Sequence, residues 1–201
     1  MKPAILIFTK NLLYGQVKTR LAATVGNDVA LSVYKNLLQY TAHITHQLPV
    51  DKILFYSNKI EKKDSWNDEV YNKQLQSGND LGERIQHAFA FAFLERNTQV
   101  AIIGTDCLEL TSTIIMNAFA QLKNHDVVIG PAKDGGYYLL AIKKLHQELF
   151  QNISWSTKEV LKQTLMICKR LNLTAYLLTE LSDIDTEEDL NKINEKTIIA
   201  K

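Results

Sequence analysis

A lysine and an arginine two positions apart follow a glycine in Gly15-Gln16-Val17-Lys18-Thr19-Arg20-Leu21. Glycine lets backbone come close to a phosphate, and two cations neutralise it, so this stretch suits a polyanion such as a nucleotide diphosphate. On these seven residues alone an exposed basic loop is the simpler reading. The second chemical group is Asp106, which with Thr105 follows the apolar run Val100-Ala101-Ile102-Ile103-Gly104. A carboxylate there suits Mg²⁺ or Mn²⁺, which take oxygen ligands and often only one or two from the protein. Leu108–Leu110 separate Asp106 from the helix expected at Thr111, so capping that helix is not its task.

Other polar residues carry two readings each. Asp185 stands three residues before Glu188 and Asp80 three before Glu83, which makes both natural N-caps. Asp134-Gly135-Gly136 is a tight turn, and Asp134 either only builds it or also faces a ligand. Arg84 reaches a phosphate or pairs with a surface acid. His43 and His46 lie three apart on an expected helix, without a third metal ligand at useful spacing. Trp155 reads as a core or lid contact, and the acid run Asp183–Asp189 as a solvated helix start.

The elements that must position these groups alternate. Ala4–Thr9 reads as a buried strand, followed by the Gly15–Arg20 loop and a helix from about Asp28 to His46 with Val29, Val33, Leu37, Tyr40 and Ile44 on its apolar face. Lys52–Tyr56 is the next strand, Ser57–Glu69 a polar surface excursion, and Val70–Leu75 a short strand. Asp80 opens a helix carrying Ile85, Ala88, Phe89 and Ala92. Strand Val100–Gly104, helix Thr111–Leu122, and strands Asp126–Gly130 and Tyr137–Ile142 follow. Ser156-Thr157-Lys158-Glu159 has capping-box spacing ahead of a helix bearing Val160, Leu161, Thr164, Leu165, Cys168 and Leu171. Ala175–Leu178 is a last strand, and Asp185 starts a final helix through Ile193. This order argues for one domain over residues 1–201, an α/β sandwich around a mainly parallel sheet, with one departure where two strands adjoin. Ligands of open α/β sheets lie beyond the carboxyl ends of the strands. Lys18 and Arg20, Asp106, Asp134, and Asp183 with Asp185 each follow a strand, so four loops converge on one rim.

The totals are those of an ordinary globular protein and argue against other classes. A chain of 201 residues, 46% apolar and 22% charged, supports one sizeable core. A formal net charge of +1 gives no global field toward nucleic acid or membrane. No apolar run approaches a membrane span or a secretory signal, and the two distant cysteines, Cys107 and Cys168, read as reduced thiols, so a cytoplasmic protein is expected. The sequence has no GxxxxGK[ST], GxGxxG or GxSxG motif, which argues against P-loop kinases, dinucleotide Rossmann domains and α/β-hydrolases.

Taken together, Phe8-Thr9-Lys10, Gly15–Leu21, Asp80-Leu81-Gly82-Glu83-Arg84, Gly104-Thr105-Asp106-Cys107, Gly130–Tyr138, Trp155-Ser156-Thr157 and Asp183–Leu190 resemble the DUF2064 family, in the family's order and over almost the whole chain. Its members are described as glycosyltransferases of the GT-A, nucleotide-diphospho-sugar transferase type, and the wider superfamily includes nucleotidyltransferases. The resemblance implies a GT-A fold, with Gly15, Lys18, Thr19, Arg20, Arg84, Gly135 and Gly136 around nucleotide phosphates. It also implies a divalent metal (Mg²⁺ or Mn²⁺) at Asp106 and, as second ligand, Asp185. Read from the residues themselves, Lys18, Asp106 and Asp134 are the candidate catalytic set, with Asp134 as a base or an acceptor-orienting group. The family usually has prolines where this chain has Leu12-Leu13-Tyr14, and one where it has Leu108; both departures spare the charged residues.

The expected function is metal-dependent transfer of a glycosyl group from a nucleotide-sugar to a small-molecule acceptor. One alternative is a nucleotidyltransferase joining an NTP to a phosphorylated substrate with pyrophosphate release. Another is a non-catalytic nucleotide-sugar binding protein. Neither nucleic acid nor a membrane is an expected partner.

Overall fold

In the computed structural model, residues 2–192 are described. The strands are β1 (Ala4–Thr9), β2 (Asp51–Tyr56), β3 (Asn72–Leu75), β4 (Val100–Ile103), β5 (Val127–Pro131), β6 (Tyr137–Ile142) and β7 (Ala175–Leu177). They form one sheet in the order β3-β2-β1-β4-β6-β5-β7. Only β6 runs against its neighbours, antiparallel to both β4 and β5. The expected mainly parallel α/β sandwich is therefore present, and the adjoining strands make the one departure.

The helices are α1 (Thr19–Val25), α2 (Asn27–His46), α3 (Leu81–Leu94), α4 (Ser112–Gln121) and α5 (Val160–Arg170). Central strands are buried on both faces, which is why they read as continuous apolar runs rather than alternating ones. Ile5, Ile7 and Leu54 pack with Tyr34, Leu37, Ile115 and Phe119 of α2 and α4. Leu6, Ile53 and Phe55 pack with Ile85, Phe89, Val160 and Ile167 of α3 and α5 on the opposite face.

Three local expectations are corrected. Helix begins at Thr19, within the expected loop, because Gly26 (φ 84°) breaks two helices apart and α1 offers only Leu21 to the core. In α2 the buried face is Ala30, Tyr34, Leu37, Leu38, Thr41, Ala42 and Thr45, while Val29 is exposed. Thr41 and Thr45 enter the core by donating their hydroxyls to Leu37 and Thr41 carbonyls. The Ser156 capping box does not form: Ser156 is left-handed (φ 62°), and α5 starts at Val160 without a side-chain cap. Near the C-terminus, residues 187–192 are helical, and the expected end at Ile193 lies outside the described residues.

Asp80 does cap α3, its Oδ1 accepting from the Glu83 amide at 2.8 Å. The reciprocal bond is displaced by one residue, since Glu83 accepts from Asn79. Trp155 proves to be a packing residue. It lies against Gly82, where any Cβ would strike its indole, and meets Tyr137 edge-on at 6.4 Å.

Candidate active site

The chain between β1 and α1 is pinned by burial of Val17 and Leu21 on either side of Lys18. Gly15 uses a positive φ of 71°. Lys18 itself is left-handed (φ 48°, ψ 44°) and stands at the N-cap of α1. For a lysine that is an uncommon backbone state, held because both neighbours of the bend are anchored.

From this bend the Lys18 side chain, only 4% exposed, reaches two carboxylates from different loops. Its Nζ lies 2.9 Å from Asp106 Oδ1 and 2.9 Å from Asp185 Oδ1. Burial alone would pull the ammonium's pKa down; the Asp106 and Asp185 charges outweigh it and hold the pKa above the ordinary lysine value. Arg20 stands at the mouth, its side chain 75% exposed, with Nη1 3.9 Å from Asp185 Oδ2.

Asp106 and Asp185 meet through the backbone. Ile184, fully buried, donates its amide to the Asp106 carbonyl at 2.9 Å. Ser182 donates its amide to Glu109 Oε2 at 2.8 Å, which seats the same loop one step earlier. The N-cap task expected of Asp185 falls instead to Thr186. Asp189 accepts from the Thr186 amide (2.9 Å) and hydroxyl (2.7 Å) and from the Asp185 amide (3.2 Å), leaving the Asp185 carboxylate free to face Lys18.

Asp183 completes a carboxylate cluster, and it corrects the reading of this run as merely solvated. Burial pushes its pKa up to about 7; Asp106, Asp134 and Asp185 add to the rise, and Lys18 opposes it. Asp134 is thus within electrostatic reach of Asp183, while its Oδ1 accepts from the Gly136 amide at 2.8 Å to close the β5–β6 turn. Gly135 (φ 89°) lies against the Lys158 backbone, where any side chain would collide. Thr19 is the first residue of α1. Arg84 faces its own entry loop, Nε donating to the Gly78 carbonyl at 3.1 Å. His43 and His46 sit at the far end of α2, in a groove with Leu48 and Met116.

A hydroxyl network behind the rim was missed by sequence reasoning. Tyr34 Oη accepts from the Lys10 amide at 2.9 Å and shares protons with Thr9 (3.3 Å) and Thr105 (3.4 Å). It couples the residues just after β1 to the one before Asp106. The only available signal was a tyrosine at a core position of α2, which alone says nothing of its partners. Asn11, also buried, uses its side-chain oxygen to accept the Asn58 amide at 3.0 Å and ties the first loop to the polar excursion.

Among the described residues no three His, Cys, Asp or Glu side chains already stand in a metal-holding arrangement. The donor set nevertheless fits a hard divalent ion. Two carboxylate oxygens from separate loops converge on one cationic point, and Mg²⁺-type sites commonly complete their shell with water and phosphate.

The profile of a family described as uncharacterized proteins conserved in bacteria (DUF2064) matches residues 40–157. A Desulfovibrio desulfuricans protein, described as a candidate nucleotide-diphospho-sugar transferase, is 31% identical over 96% of this chain and 87% of its own, with a TM-score of 0.91. The chain belongs to the DUF2064 family. The remaining likenesses speak to its fold. Inositol-1-phosphate CTP transferase of T. maritima matches at 16% identity and a TM-score of 0.58, over 97% of this chain and 94% of that one. A manganese complex of Rv0371C from Mycobacterium tuberculosis matches at 11% identity and a TM-score of 0.57, over 97% and 99%. No curated protein matches this DUF2064 chain. No described helix is long and apolar enough to cross a membrane.

Proposed function

We propose that this DUF2064 protein is a metal-dependent transferase that takes a glycosyl group from a nucleotide-activated donor to a small acceptor. The observation that carries the reading is the meeting of Lys18 with Asp106 and Asp185 on the carboxyl rim of the sheet. Its 31% identity to the Desulfovibrio protein supports a transferase of that superfamily.

The nucleotide would lie over Gly15–Arg20, with Lys18, Thr19 and Arg20 on its phosphates. Asp106 and Asp185 would hold Mg²⁺ or Mn²⁺ through their carboxylate oxygens. When bound, the ion supplies positive charge against the departing diphosphate. Lys18 and Arg20 supply further fixed charge for the same oxygens, and a preorganised cation costs no reorganisation as charge develops. Asp134 accepts the acceptor's proton or orients its hydroxyl.

Nucleotidyl transfer is the second reading, because Lys18 and Arg20 suit a departing pyrophosphate equally well. A screen of NTPs and nucleotide-sugars for thermal stabilisation, with and without Mg²⁺ or Mn²⁺, identifies the donor. Product analysis then separates the chemistries: a nucleoside diphosphate marks glycosyl transfer, pyrophosphate marks nucleotidyl transfer. Binding without turnover over a broad acceptor panel would refute both.

A further inference from the structure

Lys18 stands where a divalent ion held by Asp106 and Asp185 would stand. Both carboxylates turn an oxygen to the same ammonium at 2.9 Å, and the lysine side chain is almost wholly enclosed. Resting on the reading of this rim as a metal-assisted phosphate site, we propose that Lys18 and the metal occupy the Asp106–Asp185 position alternately. The ammonium fills it in the nucleotide-free protein. The ion enters together with a polyphosphate, whose oxygens take the ammonium in exchange.

Three features of the structure carry this. First, the Lys18 backbone is fixed by its buried neighbours Val17 and Leu21, whereas its four-carbon stem turns about rotatable bonds, so the charge can move without the bend. Second, withdrawing the ammonium without a replacement leaves the Asp106 and Asp185 carboxylates facing one another with their shared countercharge gone. The ammonium therefore leaves when another cation arrives. Third, the side of Asp185 turned away from Lys18 faces the exposed Arg20, so the exchange takes place at an open mouth. The consequence is reciprocal linkage: metal alone binds weakly, nucleotide alone binds weakly, and each strengthens the other.

The test uses Mn²⁺ alone, its free concentration read by electron paramagnetic resonance, on the full chain. Lys18→Met keeps a side chain of similar reach at the strained position and removes the competing charge. It should bind Mn²⁺ about tenfold more tightly than the unaltered protein, since a charge-assisted ion pair no longer has to be broken. Adding Asp106→Asn to Lys18→Met should remove that gain. In the same series Mn²⁺ should raise the melting temperature of Lys18→Met more than that of the parent. Circular dichroism checks folding, with Lys18→Gln as the substitute variant. If Lys18→Met binds Mn²⁺ no more tightly than the parent, while Asp106→Asn still abolishes binding, the exchange is wrong and the metal assignment stands. If Asp106→Asn leaves Mn²⁺ binding unchanged in either background, both fall.

Discussion

The amide of Ile184 donates to the carbonyl oxygen of Asp106 across 2.9 Å. This single backbone bond sets the strand-end loop of β4 against the loop after β7, and Asp183 and Asp185 flank Asp106 as a result. The carboxylate cluster is a property of loop docking, since its members lie on separate turns of chain.

Replacing Asp106 by Asn should abolish the metal-dependent part of nucleotide-induced thermal stabilisation. Turnover should fall by about 10²–10³, the scale of losing one preorganised electrostatic group. A thermal shift measured with nucleotide, with and without Mn²⁺, checks it; a retained metal-dependent shift contradicts the assignment.

Thr186→Ala removes the hydroxyl that bonds Asp189 and with it the N-cap of the final helical turn. The cost to stability should be about 1 kcal/mol. Because the cap also holds the Asp185 backbone, nucleotide affinity in the presence of metal should weaken too. Equal affinity in a destabilised variant would show that the cap and Asp185 are independent.

The Asp185–Thr186 pair also shows where sequence reading stops. Asp185-x-x-Glu188 and Thr186-x-x-Asp189 are overlapping capping registers, and spacing alone cannot choose between them. The choice is made 78 residues away in sequence, where Asp106 seats Ile184 (184 against 106). Similarly, α2 carries two interlaced stripes. The aliphatic one, Val29 and Val33, was visible, but the buried one uses Thr41 and Thr45, whose hydroxyls are satisfied within the helix. By contrast, the strands and the convergence of Lys18, Asp106 and Asp185 were legible. Doubly buried strands give unbroken apolar runs, and the carboxyl-end rule places whatever polar residue follows them.

Tyr34→Phe should lower stability by about 1–2 kcal/mol, because the Lys10 amide loses its acceptor and two threonine hydroxyls lose a partner. The urea midpoint should drop with the slope unchanged. A slope change would instead place the effect on the compactness of the chain.

Asp126 takes the Thr174 hydroxyl (2.7 Å) and amide (2.9 Å) and lies 3.1 Å from the Lys143 ammonium. These bonds hold its pKa down at about 2, below the ordinary 3.8. A depressed carboxylate stabilises the fold above its unfolded pKa and loses that contribution as pH falls through the folded one. Asp126→Ala should therefore be about 1 kcal/mol less stable than the parent at pH 7. The gap should close between about pH 4 and pH 2. Denaturation curves at pH 7, 4 and 2 measure it; a pH-independent gap would mean that the carboxylate charge is irrelevant there.

Lys18 and Asp185 touch across 167 positions of sequence. On the ribosome, the lysine and Asp106 emerge long before their third member. Until β7 and the turn after it have been made, a growing chain holds a basic bend with Asp106 and Asp134 but no enclosed charge triad. The enclosed charge triad is thus withheld from every incomplete chain and forms only when the loop after β7 docks.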